Sequence, residues 1–308
     1  MQTYLQRATL IICIVGVVLF LYNCSNCKKQ KTDNLDEFLP EEDIFTDIDK
    51  AKKIFYSLPS PLETAQIIKS AGATYNEELL NPLSNASKYN TNKSMALNLG
   101  IYTTDLSFAS LFEQTQTAIK YMETARKLAE GLGISDAIDD STIKRLEENL
   151  NNKDVVMDII SETFLNTSSY LKENDRSSIA AVVLTGGWVE GLFLATQLVD
   201  EEKIKNNPLV KRIAEQKLSL KILEKLLEEN KYEKNGEENK DITSLIKEID
   251  PIIKAYDKIK VELSEVKVEP DKNNNVSLLK SETKISISEN AFLELKKAVN
   301  DIRTKFIQ

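Results

Sequence analysis

Carboxylate and aromatic side chains on two apolar segments are the residues whose types and spacing could support chemistry in this chain. Two carboxylates that meet across a cleft can act as general acid and general base, or hold a cation through oxygen ligands. The residues that we consider for such a catalytic or ligand-binding site are Tyr102, Asp105, Glu113, Trp188 and Glu190. The competing interpretation is structural, because helix carboxylates usually face solvent or are satisfied by neighbours, and aromatic rings usually anchor a core.

Composition removes most other kinds of chemistry. The chain has 308 residues and no histidine, which excludes Ser-His-Asp and Cys-His machinery and removes the commonest metal ligand. It contains no phosphate-binding loop or dinucleotide fingerprint. Its net charge of −8 gives no electrostatic reason to bind nucleic acid. We therefore expect no cofactor, no metal and no nucleic-acid partner, and an enzyme is less favoured than a binding or structural protein.

Glycines inside the same two apolar segments indicate close packing of helices. Glycine in a helix interior costs roughly 1 kcal/mol relative to alanine, so it usually has a reason there. The small residues that we expect at such a contact are Gly100, Gly186, Gly187, Gly191 and Ala195. A glycine-based dimer motif of membrane helices is disfavoured because Glu190 lies within the stripe. A ligand pocket in the space left by the missing side chains is the remaining alternative.

The elements that must position these residues are predicted to be helices. Nine glycines and seven prolines leave few places to turn, and apolar residues follow helical spacing over most of residues 41–308. This pattern predicts an all-α multi-helix bundle in one domain. A small hairpin or ordered loop is expected near residues 266–287, where short alternating runs flank three consecutive asparagines.

Two details of the helix pattern are left open by the sequence. Residues 91–131 are one long helical stretch or two helices that break near Gly100, and Pro251 is expected to kink or split the helix over residues 241–265. An offset of 86 residues aligns Gly100 with Gly186. The alignment predicts two related helical repeats, over about residues 90–135 and 176–220, that pack about a pseudo-twofold axis or stack in series.

The N-terminus carries a targeting segment. Residues 8–22 form a fifteen-residue run without a charge, which is short for a membrane-spanning helix and typical of a signal peptide. We therefore predict a signal peptide over residues 1–23. The alternative is an uncleaved anchor, in which the lysines of residues 28–31 would outweigh Arg7 and hold the chain in the cytoplasm.

The end of this segment, Leu21-Tyr22-Asn23-Cys24, resembles the lipobox of bacterial lipoproteins, although Tyr22 and Asn23 replace the usual small residues. Such looser boxes are typical of Bacteroidetes lipoproteins. The resemblance implies lipidation of Cys24, attachment to the membrane through that lipid, and a flexible tether over residues 24–40. It also implies the periplasmic face of the outer membrane, because Ser25 and several lysines, with no acidic residue, follow the cysteine directly.

Three further segments, ALNLGIYTTDLSFASLFEQ, YMETARKLAEGLGI and GGWVEGLFLAT, resemble a group of Bacteroidetes lipoproteins without an assigned activity. The resemblance covers about residues 50–230 and implies an all-helical envelope protein, with no catalytic residue to carry over. We therefore expect a lipid-anchored helical protein with a binding, scaffolding or assembly role and an envelope protein as partner. The alternative is a carboxylate-based enzyme, or a protein that binds a cation or small ligand, with a pocket near Tyr102, Asp105 and Trp188.

Overall fold

The computed structural model describes residues 60–135, 140–149, 152–263, 267–271, 276–280 and 283–308. The predicted signal peptide, Cys24 and the tether therefore lie outside the described residues, as do residues 41–59 of the predicted helical domain. Within the described residues the chain is an all-α multi-helix bundle, which confirms the predicted fold class.

The described helices are α1 Pro61–Ser70, α2 Asn92–Leu111, α3 Thr115–Gly131, α4 Asp140–Glu148, α5 Lys153–Glu173, α6 Ser177–Gln197, α7 Pro208–Glu229, α8 Lys240–Asp257 and α9 Glu289–Ile307. The described 3₁₀ turns are Glu77–Leu79, Leu83–Lys88 and Glu201–Asn206. Strands β1 Lys260–Leu263, β2 Lys267–Asp271, β3 Val276–Lys280 and β4 Thr283–Ser286 lie between α8 and α9.

Short polar side chains define where several helices begin. Ser60 forms a reciprocal capping box with Glu63 at the start of α1, and Thr91 forms one with Ser94 at the start of α2. The Ser288 side chain accepts a hydrogen bond from the Ala291 amide at the start of α9. These caps satisfy amide groups that have no partner inside the helix, so the first turn of each helix is set locally by sequence.

The break after α2 differs from the prediction. The chain turns at Phe112–Gln114 rather than near Gly100, and Glu113 adopts a positive φ of 63° at this turn. Gly100 lies inside α2, where its missing side chain serves a helix contact and not a bend.

Of the two outcomes predicted for Pro251, a kink or a split of the helix, the structure excludes the split. Helix α8 continues through it and ends at Asp257, well before residue 265. Pro251 is exposed, so water can hydrogen-bond the carbonyl group that proline leaves without a donor.

Helices α2 and α6 form the centre of the bundle. Helix α6 is apolar on all sides, as expected for a helix surrounded by protein. By length and composition it is the one helix among the described residues that could cross a membrane, with a mean hydropathy of 1.6. Because 89% of the 18-residue apolar stretch of this helix is buried inside the fold, α6 is a core helix here.

The contact between α2 and α6 is made backbone to backbone. A Cβ atom added at Gly100 would lie 2.0 Å from the carbonyl oxygen of Val183, and one added at Gly186 would lie 2.0 Å from the carbonyl oxygen of Leu97. The two contacts are reciprocal at the 86-residue offset, since Gly100 corresponds to Gly186 and Leu97 to Val183. At their crossing the two helices therefore pack with local pseudo-twofold symmetry.

The segment between α8 and α9 pairs its backbone in two antiparallel ladders. Strand β1 pairs with β4 from Lys260 opposite Ser286, and β2 pairs with β3 from Lys267 opposite Lys280. This is the region where the sequence predicts a hairpin or ordered loop, and pairing begins earlier than residue 266. The chain then returns through α9, which packs against α2, α6 and α8 and brings its C-terminal turns to the centre of the bundle.

Candidate functional site

A buried polar cluster lies where α2, α6 and the last turns of α9 meet. It contains Asp105 from α2, Glu190 from α6 and Arg303 from α9, together with Asn81 from the segment before α2. Asp105 and Glu190 have no exposed surface, and only 7% of Arg303 is exposed. Two of the predicted site residues are therefore brought together, and a third charged side chain joins them.

Glu190 and Arg303 form a two-pronged ion pair. Arg303 Nε donates to Glu190 Oε2 at 2.9 Å, and Arg303 Nη2 donates to Glu190 Oε1 at 3.0 Å. Nη2 also donates to the Leu79 carbonyl oxygen at 2.9 Å, and the guanidinium group lies 4.4 Å from the centre of the Phe193 ring. Such geometry compensates the desolvation of both charges, so α9 is fastened to α6 by this pair.

Asp105 is only partly satisfied. Its Oδ2 accepts a hydrogen bond from the Asn81 backbone amide at 2.9 Å, whereas its Oδ1 is buried and has no hydrogen-bond partner among the described residues. Burial, followed by the negative charge of Glu190, raises the pKa of Asp105 well above its ordinary value. Arg303 and the Asn81 amide act in the opposite direction and do not cancel this effect.

Asn81 connects the cluster to the end of the chain. Its Nδ2 donates to Tyr89 Oη at 3.1 Å and to Asn98 Oδ1 at 3.1 Å. Asn98 Nδ2 in turn donates to the Phe306 carbonyl oxygen at 2.9 Å, and Tyr89 Oη donates to the Ile307 carbonyl oxygen at 3.2 Å. The last carbonyl groups of a helix need outside partners, and here buried side chains provide them.

Tyr102 lies in the same region but faces a packed wall of rings. It is fully buried, its hydroxyl donates to the Pro82 carbonyl oxygen at 2.9 Å, and its ring lies 6.3 Å from that of Tyr89 and 5.7 Å from that of Tyr121. Burial raises the pKa of the Tyr102 hydroxyl. Tyr102 therefore remains a neutral donor that holds the segment before α2.

Trp188 belongs to a different part of the core. Residues two positions apart on a helix point in nearly opposite directions, so Trp188 faces away from Glu190. Its ring lies 6.3 Å from that of Tyr256, and it lines a cavity between α1, α6 and α7 together with Gly191 and Ala195. Trp188 Nε1 has no hydrogen-bond partner among the described residues.

Glu113 does not join the cluster. It is exposed at the turn between α2 and α3, whereas Asp105 is inside α2. The spacing of eight residues would place Glu113 and Asp105 on nearly the same face of one continuous helix, but α2 ends at Leu111.

The small residues of α6 meet three different neighbours. Gly186 lies against the backbone of α2, and Gly187 lies near Thr104, whose hydroxyl donates to the Gly187 carbonyl oxygen at 3.2 Å. A Cβ atom added at Gly191 would lie 2.4 Å from Thr64 Cγ2 of α1. The stripe of small residues thus packs against protein for most of its length.

Two cavities in the described part of the core are small. One lies between α2, α3, α5 and α6, and another lies beside Trp188; each has a volume of about 20 Å³. A volume of this size admits about one water molecule. Neither cavity is lined by Asp105, Glu190 or Tyr102. Among the described residues there is also no group of His, Cys, Asp or Glu side chains arranged to hold a metal ion.

The residue that sequence reasoning missed is Arg303. Its signal was present in α9, where Phe292, Leu295 and Val299 lie on the apolar face and Arg303, four residues after Val299, shares that face. A cation at a core-facing position requires a buried anion. Arg303 therefore predicts a buried carboxylate partner, although the sequence does not identify which one. Asn81 and Asn98 carried no comparable signal.

Comparison of the chain with models of protein families, with curated proteins and with solved structures found no match. The geometry of the cluster is therefore interpreted on its own. The oxygen atoms of Glu190 are engaged by Arg303, the ring of Tyr102 is enclosed, and Asp105 has no exposed surface. The arrangement holds three helices together, and access for a substrate would require α9 to move.

Proposed function

We propose that this chain is a lipid-anchored helical protein of the bacterial cell envelope, with a binding, scaffolding or assembly role. The observation that carries the proposal is the largely apolar run of residues 8–22, which ends in Leu21-Tyr22 and is followed directly by Asn23 and Cys24. In this proposal the thiol of Cys24 carries the lipid, and the helical bundle, which is described from Pro61 onward, stands on the periplasmic face of the outer membrane. An envelope protein is its expected partner.

The state of the carboxylates favours binding or assembly over catalysis. A general acid or base must lie within hydrogen-bonding reach of the group that it serves. Asp105 and Glu190 have no exposed surface, and a guanidinium group and a backbone amide already occupy three of their four oxygen atoms. A partner would instead meet the polar helix faces, since the large exposed hydrophobic residues in the described part of the chain are Tyr232 and Leu293 alone.

The competing function is a carboxylate-based enzyme or a protein that binds a cation or a small ligand. The observation that favours it is the raised pKa of Asp105 together with its unpartnered Oδ1, since perturbed groups collect at functional sites. Structural ion-pair networks perturb pKa values in the same way, and Arg303 places Asp105 in such a network. The packing around the cluster therefore favours the first proposal.

Processing of the N-terminus tests lipid attachment. The full chain and its Cys24→Ala variant are produced in a bacterium that processes lipoproteins, with a radioactive fatty acid in the medium. Wild type should acquire the label and run as the shorter mature form, whereas Cys24→Ala should remain an unlabelled precursor. Wild type treated with globomycin, which blocks cleavage of the signal peptide but not lipid attachment, should remain a labelled precursor.

Cys27→Ala is the matched control, because it removes a cysteine three residues away from the proposed lipid site. It should be labelled and processed like wild type. A Cys24→Ala chain that matures with unchanged mobility and label would refute the proposal. Protease added to intact cells tests the face of the membrane: degradation before the outer membrane is permeabilised would contradict the periplasmic orientation.

A further inference from the structure

The buried cluster contains two carboxyl groups and one guanidinium group. If both carboxyl groups were ionised, the core would hold a negative charge without a counter-charge. Burying an unpaired charge is expensive, and buried groups usually change their protonation state instead. Since Asp105 and Glu190 have no exposed surface, one proton is needed to complete the cluster.

The hydrogen bonds indicate which carboxyl group holds that proton. Both oxygen atoms of Glu190 accept from Arg303, which requires the carboxylate form. Asp105 Oδ2 accepts from the Asn81 amide, and Oδ1 has no donor directed at it among the described residues. Glu190 is the charged neighbour that affects the pKa of Asp105 most, followed by Arg303. A hydrogen on Oδ1 that is shared with Glu190 would give the unpartnered oxygen of Asp105 a partner.

We infer that Asp105 is protonated on Oδ1 and donates a hydrogen bond to the Glu190 carboxylate, so that one proton and Arg303 together fasten α9 to α2 and α6. We call the cluster of Asp105, Glu190 and Arg303 a proton-dependent clasp, because its contacts between helices depend on this proton. When the proton leaves, two carboxylates face each other in the core beside a single guanidinium group, and the contact between α9 and the rest of the bundle weakens.

Besides Glu190 and Arg303, the titratable side chains that we consider around the cluster in the described part of the chain are tyrosines. Tyr102 comes from α2, Tyr121 from α3, and Tyr75 and Tyr89 from the segment before α2. Burial raises the pKa of each of these hydroxyls. They stay neutral while Asp105 titrates, so the response of the clasp to pH is assigned to the carboxyl group.

The sign of the pH effect follows from the raised pKa of Asp105. In the unfolded chain this carboxyl group loses its proton near its ordinary pKa of 3.8, whereas in the folded chain it keeps the proton to higher pH. At a pH between the unfolded-state and the folded-state pKa, the folded state binds one proton more than the unfolded state. The clasp is therefore at full strength below the unfolded-state value and is lost as pH rises through the folded-state value.

Asp105→Asn is the variant that isolates this effect. An asparagine amide can donate to Glu190 and accept from the Asn81 backbone, as protonated aspartic acid does, but it does not titrate. We expect the folding equilibrium constant of wild type to fall by about tenfold per pH unit relative to Asp105→Asn, from about pH 5 up to the folded-state pKa. Denaturant unfolding of the purified full chains at a series of pH values measures this ratio.

Asp158→Asn serves as the matched control, because Asp158 is an exposed aspartate on α5. It should follow wild type at every pH. A ratio of wild type to Asp105→Asn that does not change with pH would overturn the inference, because Asp105 would then lose its proton at the same pH in the folded and unfolded chains.

Infrared spectroscopy of wild type gives a test that does not depend on the variant folding. A protonated carboxyl band should be present at neutral pH, and it should shift in a chain labelled with ¹³C at the aspartate side-chain carboxyl. A band that shifts only with labelled glutamate would place the proton on Glu190 and contradict the assignment. Absence of any protonated carboxyl band at neutral pH would also overturn it.

Discussion

The backbone contact between α2 and α6 makes Gly186→Ala a sharp test of the fold. The added Cβ atom would lie 2.0 Å from the Leu97 carbonyl oxygen, whereas non-bonded heavy atoms rest at about 3.5 Å or more. The obstacle is backbone on both sides, so no side chain can rotate away. Helices α2 and α6 would have to separate by roughly 1.5 Å, which forfeits much of the dispersion attraction along their interface.

The magnitude follows from two opposing effects. Overpacking a core usually costs about 1–3 kcal/mol, and the upper end applies because the backbone cannot yield locally. Alanine returns roughly 1 kcal/mol as a better helix former than glycine. We therefore expect Gly186→Ala to lower the free energy of unfolding by about 2 kcal/mol or more, measured by denaturant unfolding with an unchanged slope.

The neighbouring residue provides the control. A Cβ atom added at Gly187 would lie 3.2 Å from Thr104 Oγ1 and 3.3 Å from the Gly100 carbonyl oxygen. A shift of a few tenths of an ångström relieves both contacts, and the gain in helix propensity offsets it. Gly187→Ala should therefore stay within about 1 kcal/mol of wild type. If Gly186→Ala is as stable as Gly187→Ala, α2 and α6 do not approach each other as closely at Gly186 as the structure places them.

Three further substitutions test the buried ion pair and the turns with positive φ. Arg303→Met should lower the free energy of unfolding by about 3–5 kcal/mol, because it leaves Glu190 charged and unpaired in the core; calorimetry measures it, and a loss below about 1 kcal/mol would show that the pair is solvated. Glu113→Gly should raise the free energy of unfolding by about 1 kcal/mol, because glycine adopts a φ of 63° without strain. Gly72→Ala, at a φ of 85°, should lower the free energy of unfolding by a similar amount. A lower free energy of unfolding for Glu113→Gly than for wild type would refute the strain argument.

The helices could be predicted from the sequence because their signals are local. The start of α7 at Pro208 and the cap of α9 at Ser288 follow from residue types within one turn. The turn at Glu113 could not be predicted in this way, because a glutamate has no preference for a positive φ. Phe112 and the residues around it place the chain there through packing, which no local pattern records.

The polar cluster could be predicted only in part. Asp105 and Glu190 can be identified from the sequence because they are charged residues on apolar helices. They lie close together because α2 and α6 cross at Gly100 and Gly186. The partner that neutralises Glu190 lies 113 residues further along the chain. No periodicity links positions so far apart. The sequence therefore could not decide whether Asp105 and Glu190 form a ligand-binding site or are core groups satisfied by neighbours. The contact with Arg303 of α9 favours the second interpretation.

The asymmetry between the two central helices explains why the cluster lies where it does. At the crossing the contacts are reciprocal, but one turn further along they diverge: Asp105 of α2 corresponds to Gly191 of α6, and Glu190 corresponds to Thr104. Gly191 receives Thr64 from α1, whereas the carboxyl groups receive Arg303 from α9. A symmetric pair could accept either helix on either side. Because a buried guanidinium is tolerated only next to a buried carboxylate, the polar cluster fixes which side of the α2–α6 pair receives α9.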